Sequence, residues 1–110
     1  MEKFVKGDVI VLSFPFSDLS SSKKRPALVL SNIVDNDLIL CQITSQQRFD
    51  KSSIPLEDSD FKKGKLSLIS NIRPNKLFTA DKEIIDYKIG SLNEKKLKEV
   101  IDIIIKILRE

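Results

Sequence analysis

The sequence predicts a mainly β fold that ends in a single α-helix. Short apolar runs bounded by turn-forming residues recur through residues 7–80, as in buried or half-buried strands. Beyond residue 91, apolar residues recur instead at helical spacing. The chain has 110 residues, of which 41% are hydrophobic and 32% charged. This length suits one core rather than two, so we expect a single domain over residues 1–110.

The first three strands are predicted at residues 9–12, 27–30 and 39–43, where aliphatic side chains follow one another. Residues 35–37, Asp-Asn-Asp, lie between the second and third runs and have the side chains typical of a turn. These two strands therefore should form a hairpin.

Further strands are predicted at residues 53–56, 66–72 and 76–79. Pro55 and Pro74 lack the backbone N–H that a sheet ladder needs, so we expect them at edges or strand ends.

A helix is predicted from Ser91 onward. Ser91 and Glu94 have the Ser-x-x-Glu spacing of a capping box, in which each side chain satisfies a free backbone donor of the first turn. The width of the apolar surface leaves two interpretations open: burial within one chain, or burial against the sheet and a partner subunit. The apolar positions of the main stripe are Leu97, Val100, Ile101, Ile104 and Leu108.

The chain contains no histidine, which restricts the chemistry available to it. Imidazole acid–base catalysis is excluded, and Cys41 has no histidine to activate it. Cys41 also lies in an apolar run, where a thiol usually serves as a small buried hydrophobe. Any catalysis must rest on cations, hydroxyls, carboxylates and backbone donors.

The net charge is mild, but the basic residues are clustered. Nineteen Lys and Arg against 16 Asp and Glu give +3, and many ordinary domains carry such a balance. Basic clusters occur at residues 23–25 and 62–65. If they share one face they can bind a phosphate backbone; the alternative is solvated charge on turns.

Four segments, in order, resemble the MazF/PemK (Kid) toxins of type II toxin-antitoxin systems. The resemblance covers about residues 7–108, and its strength comes from the order and spacing of the pieces together. The segments are GDVIVLSFPFSD, KRPALVLSN, CQITSQ and GKLSLISNIRPNKLFTADKEIIDYKIGSLNEKKLKEVI.

The resemblance implies an SH3-like compact β-barrel of the MazF/PemK/CcdB type with a terminal helix, usually paired as a homodimer. It implies an mRNA interferase that cuts single-stranded RNA at short sequences without a metal or other cofactor, leaving a 2′,3′-cyclic phosphate and a 5′-hydroxyl. It also implies a cognate antitoxin as partner and, through the antitoxin complex, operator DNA.

Matched residue by residue, the resemblance assigns cleavage to Arg25 and Thr44, and it makes residues 15–24 the loop that covers the RNA groove. Arg25 suits the stabilisation of phosphate charge because a guanidinium offers paired donors and stays charged. Thr44 suits positioning and proton relay, since an unassisted hydroxyl is a poor base. The general base is left as either a carboxylate or a perturbed arginine.

Six further polar residues are candidates for RNA binding: Lys23, Lys24, Ser31, Ser45, Gln46 and Arg48. For the last four, the alternative is that they are ordinary polar residues of the surface.

Aromatic groups for base stacking are few, because the chain has no tryptophan and only one tyrosine, Tyr87. Phe14 or Phe16 provides a stacking platform only if it faces solvent; otherwise the pair anchors core and loop.

Two rival functions remain. A gyrase inhibitor of the CcdB type shares the barrel but acts through an aromatic tip on its terminal helix, and this sequence has no tryptophan there. A non-cleaving relative that binds nucleic acid or a protein partner is the other. No apolar run reaches the ~18 residues of a membrane span, and no signal peptide is apparent. We therefore expect a cytoplasmic protein without a membrane partner.

Overall fold

A computed structural model describes residues 3–14, 23–32, 35–45 and 52–110 of the chain. It contains seven strands in one sheet, followed by a helix, which confirms the predicted mainly β fold with a C-terminal helix. Two short 3₁₀ turns occur at Asp58–Asp60 and Lys82–Ile84. The elements are β1 (Asp8–Phe14), β2 (Lys23–Asn32), β3 (Asp37–Thr44), β4 (Ile54–Leu56), β5 (Phe61–Lys63), β6 (Ser70–Asp81), β7 (Ile85–Leu92) and α1 (Glu94–Arg109).

The strand order in the sheet is β4-β6-β3-β2-β1-β7-β5, and every neighbouring pair is antiparallel. The predicted hairpin of β2 and β3 is confirmed. Its turn places Asp35 at a φ of 57°, a left-handed conformation that aspartate tolerates better than most residues. The first strand, β1, pairs with β2 on one side and with the much later β7 on the other.

The sheet curls, because strands far apart in the order contribute to one core. Leu28 of β2, Ile54 and Leu56 of β4, and Leu92 of β7 all belong to the same buried cluster. In a flat sheet β4 and β7 would be five strand spacings apart, about 24 Å. The sheet therefore forms a half-barrel, as the predicted SH3-like barrel requires.

Helix α1 covers this core with one face. Val100 and Ile104 are buried in the cluster, whereas Ile105 and Leu108 are exposed. Alternate residues of β1 and β2 point to the other face of the sheet, where Ile10, Leu12, Ala27 and Val29 join a second buried cluster. Within the described residues, no helix combines the length and apolar character needed for a membrane span.

The start of α1 differs from the prediction. The N-cap is Asn93, whose side chain accepts a hydrogen bond from the backbone N–H of Lys96 at 2.8 Å. Ser91 lies two residues earlier, still within β7, and donates its hydroxyl hydrogen to Asp8 Oδ1 at 2.9 Å. The predicted capping box at Ser91 and Glu94 is wrong because the strand extends to Leu92 before the helix begins.

The predicted strands at residues 66–72 and 76–79 are also corrected. Residues 66–69 precede the strand, and β6 then runs without interruption for 12 residues from Ser70, through Pro74. The pairing of β3 with β6 shifts register between Cys41 and Ile43, where their partners are Leu77 and Ile72, so this irregularity accommodates Pro74. Pro55 does lie on an edge strand, β4, as predicted.

A buried ionic cluster fixes the start of β1 against β7. The carboxylate of Asp8 is 2% exposed and accepts hydrogen bonds from the Val5 backbone N–H at 2.8 Å and from Ser91. Lys88 Nζ lies 3.2 Å from Asp8 Oδ2 and also donates to the carbonyl of Lys3 at 3.4 Å. These contacts compensate the cost of burying the charge of Asp8.

Candidate functional site

Arg25 and Thr44 lie at neighbouring strand ends. In the β2–β3 pair, Ala27 is opposite Gln42. Arg25 precedes Ala27 by two residues and Thr44 follows Gln42 by two, so the antiparallel register carries both residues to the same end of the hairpin. Both line one cleft of about 430 Å³.

Residues from five strands and from the segment that joins β5 to β6 form the walls of this cleft. The strands are β1, β2, β3, β6 and β7, and residues 66–68 of the connecting segment complete the lining. The lining residues are Val11, Lys24, Arg25, Pro26, Ile43, Thr44, Ser45, Leu66, Ser67, Leu68, Ser70, Tyr87 and Ile89.

The two predicted catalytic residues both lie in strands that are paired within the sheet. Thr44 is buried and pairs with Asn71 of β6, so its backbone is held in the sheet. Arg25 pairs with Leu12 of β1, and its Nε atom is buried although the residue is partly exposed. A guanidinium and a hydroxyl in one cleft can both donate hydrogen bonds to the oxygens of a phosphate group.

Lys24 adds a second cation to the cleft. Its Nζ atom lies 5.9 Å from the centroid of the Tyr87 ring and 3.9 Å from Asp86 Oδ2. Asp86 Oδ2 also accepts a hydrogen bond from Ser13 Oγ at 3.2 Å. The cleft therefore has a basic and an aromatic group in contact on the side formed by β7.

The other predicted binding residues are distributed unevenly. Ser45 is exposed and lines the cleft next to Thr44. Ser31 lies six residues from Arg25 along β2, about 20 Å away, and does not line the cleft. The backbone of Lys23 begins β2. Gln46 and Arg48 fall outside the described residues, as do Phe16 and residues 15–22 of the predicted covering loop.

Sequence reasoning did not place Tyr87 or residues 66–68 at this cleft. Tyr87 reaches it because Val11 is opposite both Pro26 of β2 and Tyr87 of β7. Leu68 and Ile69 are 65% and 79% exposed. No local pattern reveals these positions, since they depend on pairing between strands more than 70 residues apart in sequence.

Two glycines allow the chain just before residues 66–68 to lie directly against β7. Gly64, with a φ of 75°, packs directly against the backbone of Ile89 and Gly90. A Cβ at Gly64 would collide with the carbonyl oxygen of Ile89, and one at Gly90 with that of Lys63. This approach also places the second basic cluster, whose Lys62, Lys63 and Lys65 are exposed, immediately before the cleft residue Leu66.

Cys41 has a structural role, as the sequence indicated. It is fully buried, and burial raises the pKa of its thiol to about 12. The thiol donates a hydrogen bond to the carbonyl of Arg73 at 2.9 Å. Because the thiol stays protonated at neutral pH, it is no nucleophile. Among the residues that the structure describes, no group of three or more His, Cys, Asp or Glu side chains is placed to hold a metal ion.

Comparison with solved structures supports the same fold. A mycobacterial endoribonuclease in complex with its cognate antitoxin is 14% identical, with a TM-score of 0.76 and coverage of 96% of this chain and 95% of the other. MazF from Deinococcus radiodurans is 20% identical, with a TM-score of 0.76 and complete coverage of both chains. MazE-MazF from the same organism gives 20% identity, a TM-score of 0.77 and 94% coverage of each chain.

A curled antiparallel sheet with a terminal helix, and with a basic cleft at the strand ends, defines a small MazF-type fold. The protein-family model that describes the PemK-like, MazF-like toxins of type II toxin-antitoxin systems matches residues 5–108 of this sequence. The chain therefore belongs to this toxin family. A search of curated proteins gave no match.

Proposed function

We propose that this protein is the toxin of a type II toxin-antitoxin system and acts as a sequence-specific endoribonuclease on single-stranded RNA. The observation that carries the proposal is the convergence of Arg25 and Thr44 in one cleft, which also contains the exposed cation of Lys24. Family membership supports the same activity. Action on cellular mRNA implies a cytoplasmic protein.

The proposed reaction uses the RNA's own 2′-hydroxyl as the nucleophile. This oxygen gives up its proton to a general base, a carboxylate or an arginine, and attacks the adjacent phosphorus, while the bond from phosphorus to the 5′-oxygen of the next nucleotide breaks. The products are a 2′,3′-cyclic phosphate and a 5′-hydroxyl, the latter formed when the leaving oxygen takes up a proton. No covalent bond to the protein and no metal ion is needed for these steps.

In this scheme Arg25 stabilises the charge that develops on the phosphate. Fixed donors aimed at such charge are often the largest single contribution to catalysis. Thr44, held by β3 and β6, positions the reacting group and relays a proton. Lys24 and Ser45, which line the same cleft, contact the RNA backbone on either side.

The decisive experiment is cleavage of a long single-stranded RNA by the purified protein in EDTA, with the cut sites and end groups mapped. Discrete cuts with cyclic phosphate ends are expected. Arg25→Ala should reduce the rate by about 10²- to 10³-fold, and Thr44→Val by a smaller factor. Arg109→Ala and Thr79→Ala, at exposed positions on α1 and β6, serve as matched controls.

Retained activity of folded Arg25→Ala would remove Arg25 from the mechanism. Loss of wild-type activity in EDTA that magnesium restores would overturn the metal-independent reaction. Absence of cleavage by folded wild type would contradict the proposal for free RNA.

We also propose that the chain forms a homodimer and binds a cognate antitoxin, and that the antitoxin complex binds operator DNA. The exposed Ile105 and Leu108 on α1 provide apolar surface for association. Light scattering tests the dimer directly. A concentration-independent mass near the 12.5 kDa of one chain would refute it.

A further inference from the structure

We infer that Tyr87 and Lys24 together bind one nucleotide of the substrate, with the tyrosine ring stacked on a base and the lysine ammonium at a phosphate of the same strand. This inference rests on the proposed function, because it assigns a binding contact to the same cleft. It makes Tyr87 a substrate-binding residue that takes no part in the chemical step.

Tyr87 has the exposure and location that a stacking contact needs. Its side chain lines the cleft, yet the residue is 49% exposed. The ring therefore presents an aromatic face that the core does not use. Every nucleic acid base has a π-face, so an exposed ring in a basic cleft binds single strands by stacking, with little dependence on sequence.

Lys24 is held loosely enough to exchange its partner. Its side chain is 63% exposed, and its distance of 3.9 Å from Asp86 makes a weak ion pair. The ammonium also lies over the Tyr87 ring at 5.9 Å, a position favoured by the ring quadrupole. An RNA phosphate can replace Asp86 at little cost while the lysine stays beside the ring.

The sheet register relates this pair to the proposed catalytic residue. Lys24 directly precedes Arg25. Val11 of β1 is opposite Pro26 of β2 on one side and Tyr87 of β7 on the other, so Tyr87 lies two strands away from Pro26. Two strand spacings are about 10 Å. An RNA strand whose scissile phosphate lies at Arg25 therefore passes Lys24, and one of its neighbouring bases reaches Tyr87. The contact orients the RNA and takes no part in proton transfer.

The composition of the chain provides a direct test. Tyr87 is the only tyrosine and there is no tryptophan, so the intrinsic fluorescence of the wild-type protein reports on Tyr87 alone. We propose titration with a short mixed-sequence RNA that is fully 2′-O-methylated and therefore resists cleavage. Anisotropy of a labelled copy measures binding independently, and N-acetyltyrosinamide controls for absorption by the RNA.

Stacking should quench the tyrosine fluorescence to the same saturation point that anisotropy gives. Tyr87→Leu should weaken binding by roughly 5- to 150-fold, the range for loss of one base–aromatic stack. Tyr87→Phe should keep the affinity and lose the fluorescence signal. In cleavage assays Tyr87→Leu should raise KM far more than it lowers kcat, at all cut sites alike.

Lys24→Met should lower the slope of log affinity against log salt by about one. Lys95→Met is the matched control, since Lys95 is exposed on α1, which contributes nothing to the described lining of the cleft. An unchanged slope in Lys24→Met would overturn the role of Lys24.

Binding without quenching, or a Tyr87→Leu variant with wild-type affinity, would overturn the stacking inference while leaving the nuclease proposal intact. Absence of any binding by the wild type would overturn both. Quenching together with failure to cut unmodified RNA would support the inference and contradict the nuclease proposal.

Discussion

The two ends of the β1–β7 pair carry the same three types of side chain in opposite environments. Each end has an aspartate that contacts a lysine and a serine. The buried set is Asp8, Lys88 and Ser91. The exposed set, beside the cleft, is Asp86 and Ser13 with Lys24 of the adjacent β2, and of these three Lys24 lines the cleft.

Burial gives the two sets different properties. The Asp8 side chain is 2% exposed and the Asp86 side chain 33%. The lysine-to-carboxylate distance is 3.2 Å in the buried set and 3.9 Å at the cleft. A buried charge must keep its partners, whereas an exposed one can exchange them with water or a ligand. The same three types of side chain thus form a buried contact at one end and an exposed, exchangeable contact at the other.

The largest expected effect is the loss of the buried carboxylate. Asp8→Ala leaves Lys88, Ser91 and the Val5 N–H without their acceptor, and we expect it to lower the free energy of unfolding by about 2–4 kcal/mol. Asp86→Ala should cost less than about 1 kcal/mol. Urea denaturation of both variants measures the difference. Equal losses of unfolding free energy would show that burial does not distinguish the two aspartates.

A smaller difference is expected between the serines. Ser91→Ala removes a 2.9 Å hydrogen bond to a buried carboxylate and should cost about 1–2 kcal/mol. Ser13→Ala removes a 3.2 Å bond to a partly exposed one and should change the unfolding free energy little. The same denaturation assay applies. A Ser13 variant as destabilised as the Ser91 variant would show that exposure does not separate the two sets.

The smallest effect concerns binding rather than folding. Asp86→Asn removes the charge that competes with phosphate for Lys24, so RNA affinity at low salt should rise about 2- to 5-fold, as expected for an exposed ion pair. The gain should vanish at high salt. Anisotropy with 2′-O-methylated RNA measures it. If the variant instead binds normally but no longer cleaves, Asp86 acts as the general base and is more than an exchangeable partner.

Local sequence patterns predicted the elements that local interactions form. The runs in β1, β2 and β3 have enough adjacent aliphatic residues to identify strands, and residues 35–37 specify their own turn. The helix follows from its periodicity, but its cap was misplaced because Ser91 and Asn93 are both good cap residues. Only the extent of β7 decides between them.

The candidate site divides in the same way. Arg25, Thr44, Lys24 and Ser45 converge because one hairpin carries them all, and a hairpin was predictable. Tyr87 joins them through the β1–β7 pair, a contact between distant parts of the chain that no local pattern encodes. Residues 66–68 reach the cleft just after the close contact of Gly64 with Gly90, which is likewise a contact between distant parts of the chain.

The pairing of β1 with the much later β7 also determines when the cleft can form during synthesis. The hairpin that carries Arg25 and Thr44 needs only the first 44 residues, but the cleft also needs residues as late as Ile89. A growing chain therefore has its proposed catalytic residues long before the wall against which RNA would be held. During synthesis β7 can pair with β1 only after the residues up to Leu92 have been added, so the cleft forms later than the hairpin that carries Arg25 and Thr44.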